Sequence, residues 1–313
     1  MIRDVLQKLA ETEGSPPALE VERLSGLETE ELNEFRAEWP KLSAERRRAI
    51  LALAVQLAEN DIEFDFGPVL KVCLSDTDAA VRTTAIEGLW EDEEFRTADR
   101  LADLLRHDSA ENVRIAAAMV LARFTQLADD GKLYRPTAER VRRALESAAL
   151  NASESIDVRR RSIEALATVG GEVVDRLITS AYADRDPRMQ ASAIYAMGRT
   201  CDQRWLDTIL REMENEDAEL RFEAARAAGE TQAPRSIVPL ISLLDDEDLE
   251  VRLAAIGALG EIGGDLANKA LQRCAKGKDQ AMRAAAVEAL SQNDLGSDPL
   301  NNSPFLNDST RTV

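Results

Sequence analysis

Arg221, Arg252 and Arg283 stand at strict intervals of 31 residues, and each closes the same phrase: Asp217-Ala218-Glu219-Leu220, Asp248-Leu249-Glu250-Val251 and Asp279-Gln280-Ala281-Met282. One interval earlier, Asp186-Pro187-Arg188-Met189 keeps the aspartate and the apolar residue but places Gln190 in the arginine slot. Further back the slot is held by Arg159, Arg114 and Arg82. A fixed period of this length marks a solenoid, in which each unit is stable only against its neighbours.

Aligned on the slot, the sequence becomes columns. The residue before it is Val81, Val113, Val158, Met189, Leu220, Val251 or Met282, and three after it come Ala85, Ala117, Ser162, Ala193, Ala224, Ala255 and Ala286. Ile86, Ile163, Ile194, Ile256 and Val287, then Leu89, Leu121, Leu166, Leu259 and Leu290, complete an apolar face at helical spacing. Val251, Ala255 and Leu259 are therefore expected among the most buried residues. Gly198, Gly229 and Gly260 follow directly, and are expected as left-handed helix ends. A second amphipathic segment precedes each aspartate, as in Ile237 to Leu244, so each unit is a helical hairpin whose aspartate caps the second helix. Pro187 suits a first helical position, and Pro239 predicts a late start or a kink.

The array reads as all-α, an α-solenoid of about eight stacked hairpins over 28–291, with the first pair at Glu28–Trp39 and Ser43–Leu53. Residues 1–27 read as an N-terminal cap or linker and 292–313 as a flexible tail carrying Phe305-Leu306. Between Arg114 and Arg159 the spacing exceeds the common period, so one unit carries an insertion. The insertion is expected as a loop at 127–137, either as plain length variation or as part of a binding face.

The phrase Asp-x-x-Val-Arg with its following Ala-Ile-x-Ala-Leu-Gly resembles the HEAT-repeat family over about residues 40 to 291, particularly the short bacterial HEAT-like repeats found in phycobilin lyases. The 31-residue unit departs from longer HEAT and armadillo units of ~40–47 residues. The resemblance implies a HEAT-like superhelix. Through the lyases it also implies an alternative role, as accessory subunit or lyase-like chaperone of a tetrapyrrole-attachment system, with a hydrophobic pocket and usually a second subunit.

Side-chain inventory argues against an enzyme. His107 is the one histidine of the chain and sits in Arg106-His107-Asp108 at an expected helix end, which offers neither a metal cluster nor a triad. HEAT-like metal-dependent hydroxylases carry several His-Glu pairs, which this sequence lacks. Cys73 and Cys274 share a core column with Leu105, Leu150 and Leu243, while Cys201 falls in a turn. Replacing His107 by Ala or Cys201 by Ser is expected to change little. Gly170-Gly171 and Gly263-Gly264 lack the strand and lysine of a phosphate loop. No catalytic, metal or cofactor residue is assigned.

A net charge of −19 repels nucleic acid and anionic membranes, which argues against the DNA-binding mode of HEAT-like glycosylases. Neither a signal peptide nor a membrane span is legible, so a cytoplasmic location is expected. The arginine slots are expected to pair with aspartates of their own or the adjoining unit, each exposed pair contributing about 0–1 kcal/mol. Gln190 would be a weakened rung.

What remains is surface. Positions one and five after the slot should face away from the core, on helices that solenoids generally present on their concave side. Ile115, Met119, Tyr195, Phe222 and Leu253 are apolar there, flanked toward the ends by Thr83, Glu87, Arg160, Glu164, Ala284 and Glu288. An apolar centre with a polar periphery predicts a non-enzymatic scaffold that binds a protein or peptide through these five residues. The alternative is that stacking buries them between helices.

Overall fold

The computed structural model describes residues 1–296, in two compact units: Met1–Leu177 and the residues from Ile178 onward. Every element among the described residues is helical.

In the first unit, α1 (Ile2–Glu11) and α2 (Ala18–Glu22) precede hairpins built from α3 (Thr29–Glu38) and α4 (Ala44–Asn60), α5 (Gly67–Cys73) and α6 (Ala79–Glu87), α7 (Phe95–His107) and α8 (Glu111–Asp129), and α9 (Arg135–Leu150) and α10 (Ile156–Leu166). The second helices α4, α6, α8 and α10 pack side by side. Ile2, Val5, Leu6 and Leu9 of α1 are buried; α1 packs on α3, and α2 on α4.

The chain passes into the second unit within α11 (Glu172–Tyr182), which is followed by α12 (Pro187–Arg199), α13 (Leu206–Glu212), α14 (Ala218–Glu230), α15 (Ile237–Leu243), α16 (Leu249–Ile262), α17 (Asp265–Ala275) and α18 (Gln280–Gly296). Here α12, α14, α16 and α18 pack in succession, while α13, α15 and α17 each pair with the second helix that follows. Eight successive helix pairs, α3 and α4 through α17 and α18, thus follow one another along the described residues.

The columns behave as the period requires. Val251, Ala255 and Leu259 are fully buried, as are their counterparts Val81, Ala85, Val113, Ala117 and Met189. Pro187 opens α12, and a 3-10 turn at 234–236 delays α15 so that Pro239 falls in its first turn. Cys73 and Cys274 are buried and Cys201 is exposed.

Four of the hairpin turns use two side chains. The Asp246 carboxylate accepts from the Asp248 amide at 2.9 Å, closing the turn, and Asp248 Oδ1 then accepts from Glu250 N at 2.8 Å as the cap of α16. The same division recurs at Asp76 with Asp78, Asp184 with Asp186, and Asn215 with Asp217.

The arginine ladder is real, and its close partners are carboxylates of the following hairpin's turn rather than its cap; Arg252 alone reaches a cap, coming within 4.0 Å of Asp279. Arg82 binds Asp108 at 2.8 and 2.7 Å, Arg114 binds Glu154 at 3.0 and 2.8 Å, and Arg47 pairs with Asp76 at 3.1 Å. Six slot residues also reach back to a carbonyl six positions earlier in their own hairpin, among them Arg82 to Asp76 O, Gln190 to Asp184 O and Arg252 to Asp246 O, whereas Arg159 reaches Ala149 O, ten earlier. Arg47 and Asp76 keep only 8% and 3% of their side chains exposed, so the small value of a surface ion pair does not apply to them.

Four expectations are corrected by packing. Gly198, Gly229 and Gly260 lie inside α12, α14 and α16, not at left-handed ends; the left-handed residues come three later, at Cys201 (φ 52°), Gln232 (φ 48°) and Gly263 (φ 66°). The three glycines serve close approach instead, since a Cβ on Gly198 would stand 2.6 Å from Ala227 Cα and one on Gly260 2.9 Å from Ala289 Cβ. The insertion does not form a loop over 127–137. It lengthens helices, so that α8 runs 19 residues and α9 runs 16, leaving only 130–134 between them. Leu150 leaves the core column and is exposed, because the longer α9 buries Ala148 and Ala149 at that level. Finally, α18 continues to Gly296, beyond the limit at 291 set by the periodicity. From residue 297 the expected tail, with Phe305-Leu306, lies outside the described residues.

Candidate protein-binding site

In the second unit, Tyr195 of α12 and Phe222 of α14 are half-buried residues on adjacent second helices. The residue that joins them was not selected by apolarity. Arg226, in the same column as Tyr195 and one turn after Phe222 on α14, places its guanidinium carbon 5.7 Å from the Tyr195 ring centre and 5.8 Å from that of Phe222. Arg226 is exposed, and 3.7 Å separates it from Glu223. The arrangement is a cation lying against two aromatic faces. Leu253 of α16, in the Phe222 column, is half-buried.

Charge continues beside the rings. Arg199 and Glu230 approach to 3.6 Å, and Glu261 occupies the Glu230 column on α16. Burial pushes the Glu230 carboxyl above the usual carboxylate range; Arg199 and Arg226 oppose the shift and the Glu261 charge adds to it. Burial also raises Glu261, against the pull of Arg226. This ridge of two arginines and two carboxylates lies in the outer columns of the repeat, where apolarity gives no sign of it.

In the first unit, Met119 on α8 is 50% exposed and Ile115 is half-buried. Their flanks are polar: Asn112 donates to Thr83 at 2.9 Å, and Arg160 pairs with Asp157 at 2.6 Å. Of the five expected residues, Met119 is exposed, the other four are half-buried, and none is buried.

The lengthened hairpin adds a separate cleft of about 230 Å³ between α8 and α9, lined by Phe124, Ala128, Arg135, Ala138 and Val141. Beside it, Tyr134 and Phe95 meet edge to face at 6.2 Å, both exposed. His107 closes α7 as an exposed residue. Among the described residues, no three metal-ligating side chains gather, and no helix is long and apolar enough to cross a membrane.

A family model described as HEAT repeats matches residues 43–122, 67–149 and 206–291. No curated protein matches the chain. Among solved structures, the complex of CpcE and CpcF of phycocyanin lyase from Nostoc sp. PCC7120 is 20% identical, with 78% of this chain and 94% of that chain covered and a TM-score of 0.54. Human deoxyhypusine hydroxylase in complex with glycerol is 19% identical over 83% of this chain and 95% of its own, with a TM-score of 0.35. A designed armadillo repeat protein is 15% identical over 62% of this chain and 99% of its own, with a TM-score of 0.37.

Proposed function

The chain belongs to the HEAT-repeat family, and we propose that it acts as a non-enzymatic scaffold that binds a protein or peptide on the face of its second helices turned away from the core, the side expected to be concave. The observation that carries this reading is the contact of Arg226 with both Tyr195 and Phe222 on a face that stays partly open to solvent. Tyrosine, arginine and phenylalanine side chains with little conformational freedom left to lose are suited to concentrate binding energy. Leu253 extends the apolar part across α16, and the Arg199–Glu230–Glu261 ridge forms a charged rim. Ile115 and Met119 supply a further apolar patch in the first unit.

The partner in this reading is protein, not nucleic acid or lipid, because a net charge of −19 opposes phosphate-rich surfaces. The scaffold works in the cytoplasm without a cofactor. Affinity purification from the native host, followed by mass spectrometry, tests it with wild-type protein beside Tyr195→Ala/Phe222→Ala. A partner recovered equally by both would remove the site from the reading. The alternative, an accessory or lyase-like role in tetrapyrrole attachment, rests on likeness of fold to phycocyanin lyase. A visible absorbance band retained by the purified protein after mixing with bilin would replace the scaffold reading with that one.

A further inference from the structure

The last hairpin among the described residues repeats a receptor surface that every earlier step of the second unit keeps covered. α16 receives α18 through Arg252, Ile256 and Gly260; Ile256 is fully buried, and Gly260 brings the helices so close that a Cβ would meet that of Ala289 at 2.9 Å. One period on, α18 offers Arg283, Val287 and Ser291 in the same three columns, all exposed, with Val287 at 55%. Arg283 donates to Gly277 O at 3.2 Å, but among the described residues no carboxylate takes the place that Asp246 takes for Arg221. Among the described residues, no following helix covers this face of α18.

We propose that a second copy of this chain covers it, with α18 packed antiparallel against α18 of the partner subunit. The inference goes beyond the scaffold reading and does not depend on it. The exposed face of α18 is self-complementary about a two-fold axis between Ala285 and Ala286. Antiparallel packing there sets Arg283 opposite Glu288 of the partner subunit, and Ala284 opposite Val287 of the partner subunit. Each ion pair then occurs twice, as isologous contact requires. Ala281, Ala284 and Ala285 let the two helices approach as closely as the glycine and alanine columns allow elsewhere in the unit. Charge also favours this segment. Residues 265–292 hold five cations and three anions in a chain of net charge −19, so two copies meet here with far less repulsion than elsewhere. One helix pair is a small interface, which corresponds to a weak, concentration-dependent dimer.

Sedimentation velocity of the full chain across micromolar to sub-millimolar concentrations tests this directly. The expected result is a shift from 34.4 kDa toward twice that mass as concentration rises. Arg283→Glu should weaken the dimer tenfold or more by opposing two carboxylates at each pair, and Arg283→Glu/Glu288→Arg should restore it. Val287→Asp should give monomer with an unchanged melting temperature, since the side chain is exposed. A monomer at every concentration overturns the proposal, as does a dimer indifferent to both Arg283→Glu and Val287→Asp. A chain that is monomeric until residues 297–313 are removed would assign the face to that segment and overturn it equally.

Discussion

Arg221 of one hairpin grips Asp246 of the next through two hydrogen bonds, Nε to Oδ2 at 2.8 Å and Nη2 to Oδ1 at 2.9 Å, while its other nitrogen donates to Asn215 O and Glu216 O. Both side chains are nine-tenths buried. Removing one partner leaves the other as an uncompensated charge, so Asp246→Asn should destabilise the protein by about 3 kcal/mol or more, read as a loss of denaturation midpoint. The chain contains its own neutral version of this rung, because Gln190 stands in the arginine slot and Asn215 in the carboxylate slot of the following turn. Arg221→Gln/Asp246→Asn should therefore be more stable than Asp246→Asn alone. A double variant as unstable as the sum of the two single ones would show that pairing is not what holds the rung.

Two glycines of the second unit should respond oppositely to the same change. Gly198→Ala forces a Cβ to within 2.7 Å of Ala227 Cβ and 2.6 Å of its Cα, where the neighbour is backbone and cannot swing away. A cost of about 1–3 kcal/mol is expected. Gly257, inside α16, has nothing within 4 Å of a built Cβ, and Gly257→Ala should stabilise by about 0.5–1 kcal/mol through helix propensity. Paired thermal melts decide it, and equal signs would contradict the packing described.

Why these glycines were misread, while the core columns were not, follows from what a period records. Val251, Ala255 and Leu259 repeat because the same helix face is buried in each hairpin, so burial is written in the spacing. Gly198, Gly229 and Gly260 also repeat, but spacing alone does not separate a left-handed end from a close crossing; that depends on where Ala227, Ala258 and Ala289 sit in the neighbouring helix. The ladder partner was obscured for a similar reason. In the turn before α16 two aspartates lie two apart, and only the fold shows that Asp248 caps while Asp246 pairs. The lengthened unit was legible in the wide spacing of Arg114 and Arg159, yet Ala128 and Asp129 continue the pattern of α8, and the chain there prefers helix to loop. At the candidate site, apolarity located Tyr195 and Phe222. It could not find Arg226, whose role depends on stacking across two helices.

Acid should separate Asp246 from Glu230. The Arg221 hydrogen bond, opposed by burial and helped by the Asp248 amide, holds the Asp246 carboxyl below its ordinary range. Its contribution to stability is full above the ordinary carboxylate value and is lost as pH falls through the lowered folded value. Glu230 has the opposite sign: burial raises it, so its ionised form penalises the fold above the raised value, and the penalty vanishes below the ordinary one. Glu230→Gln should thus raise the melting temperature at neutral pH, by about 1 kcal/mol or less in free energy, and the gain should disappear under acid. A gain that grows as pH falls would reverse the assignment.

The aromatic pair makes the sharpest demand on the proposed function. Tyr195 and Phe222 are half-buried, so replacing both by Ala will lower the melting temperature somewhat, more than a fully exposed pair would. If they anchor a partner, affinity should fall by about 2 kcal/mol or more, well beyond the loss of folded protein. Arg226→Lys is the discriminating variant, because lysine keeps the charge but loses the planar stacking against both rings. It should weaken binding while leaving the melting temperature nearly unchanged, since Arg226 is exposed. His107→Ala and Cys201→Ser, neither of which takes part in this contact, serve as controls that should bind as wild type. Titration of each variant with the partner recovered from the host, beside its thermal melt, makes the comparison. Wild-type affinity in Tyr195→Ala/Phe222→Ala, together with a large drop in melting temperature, would place these rings in the core and leave the face without its anchor.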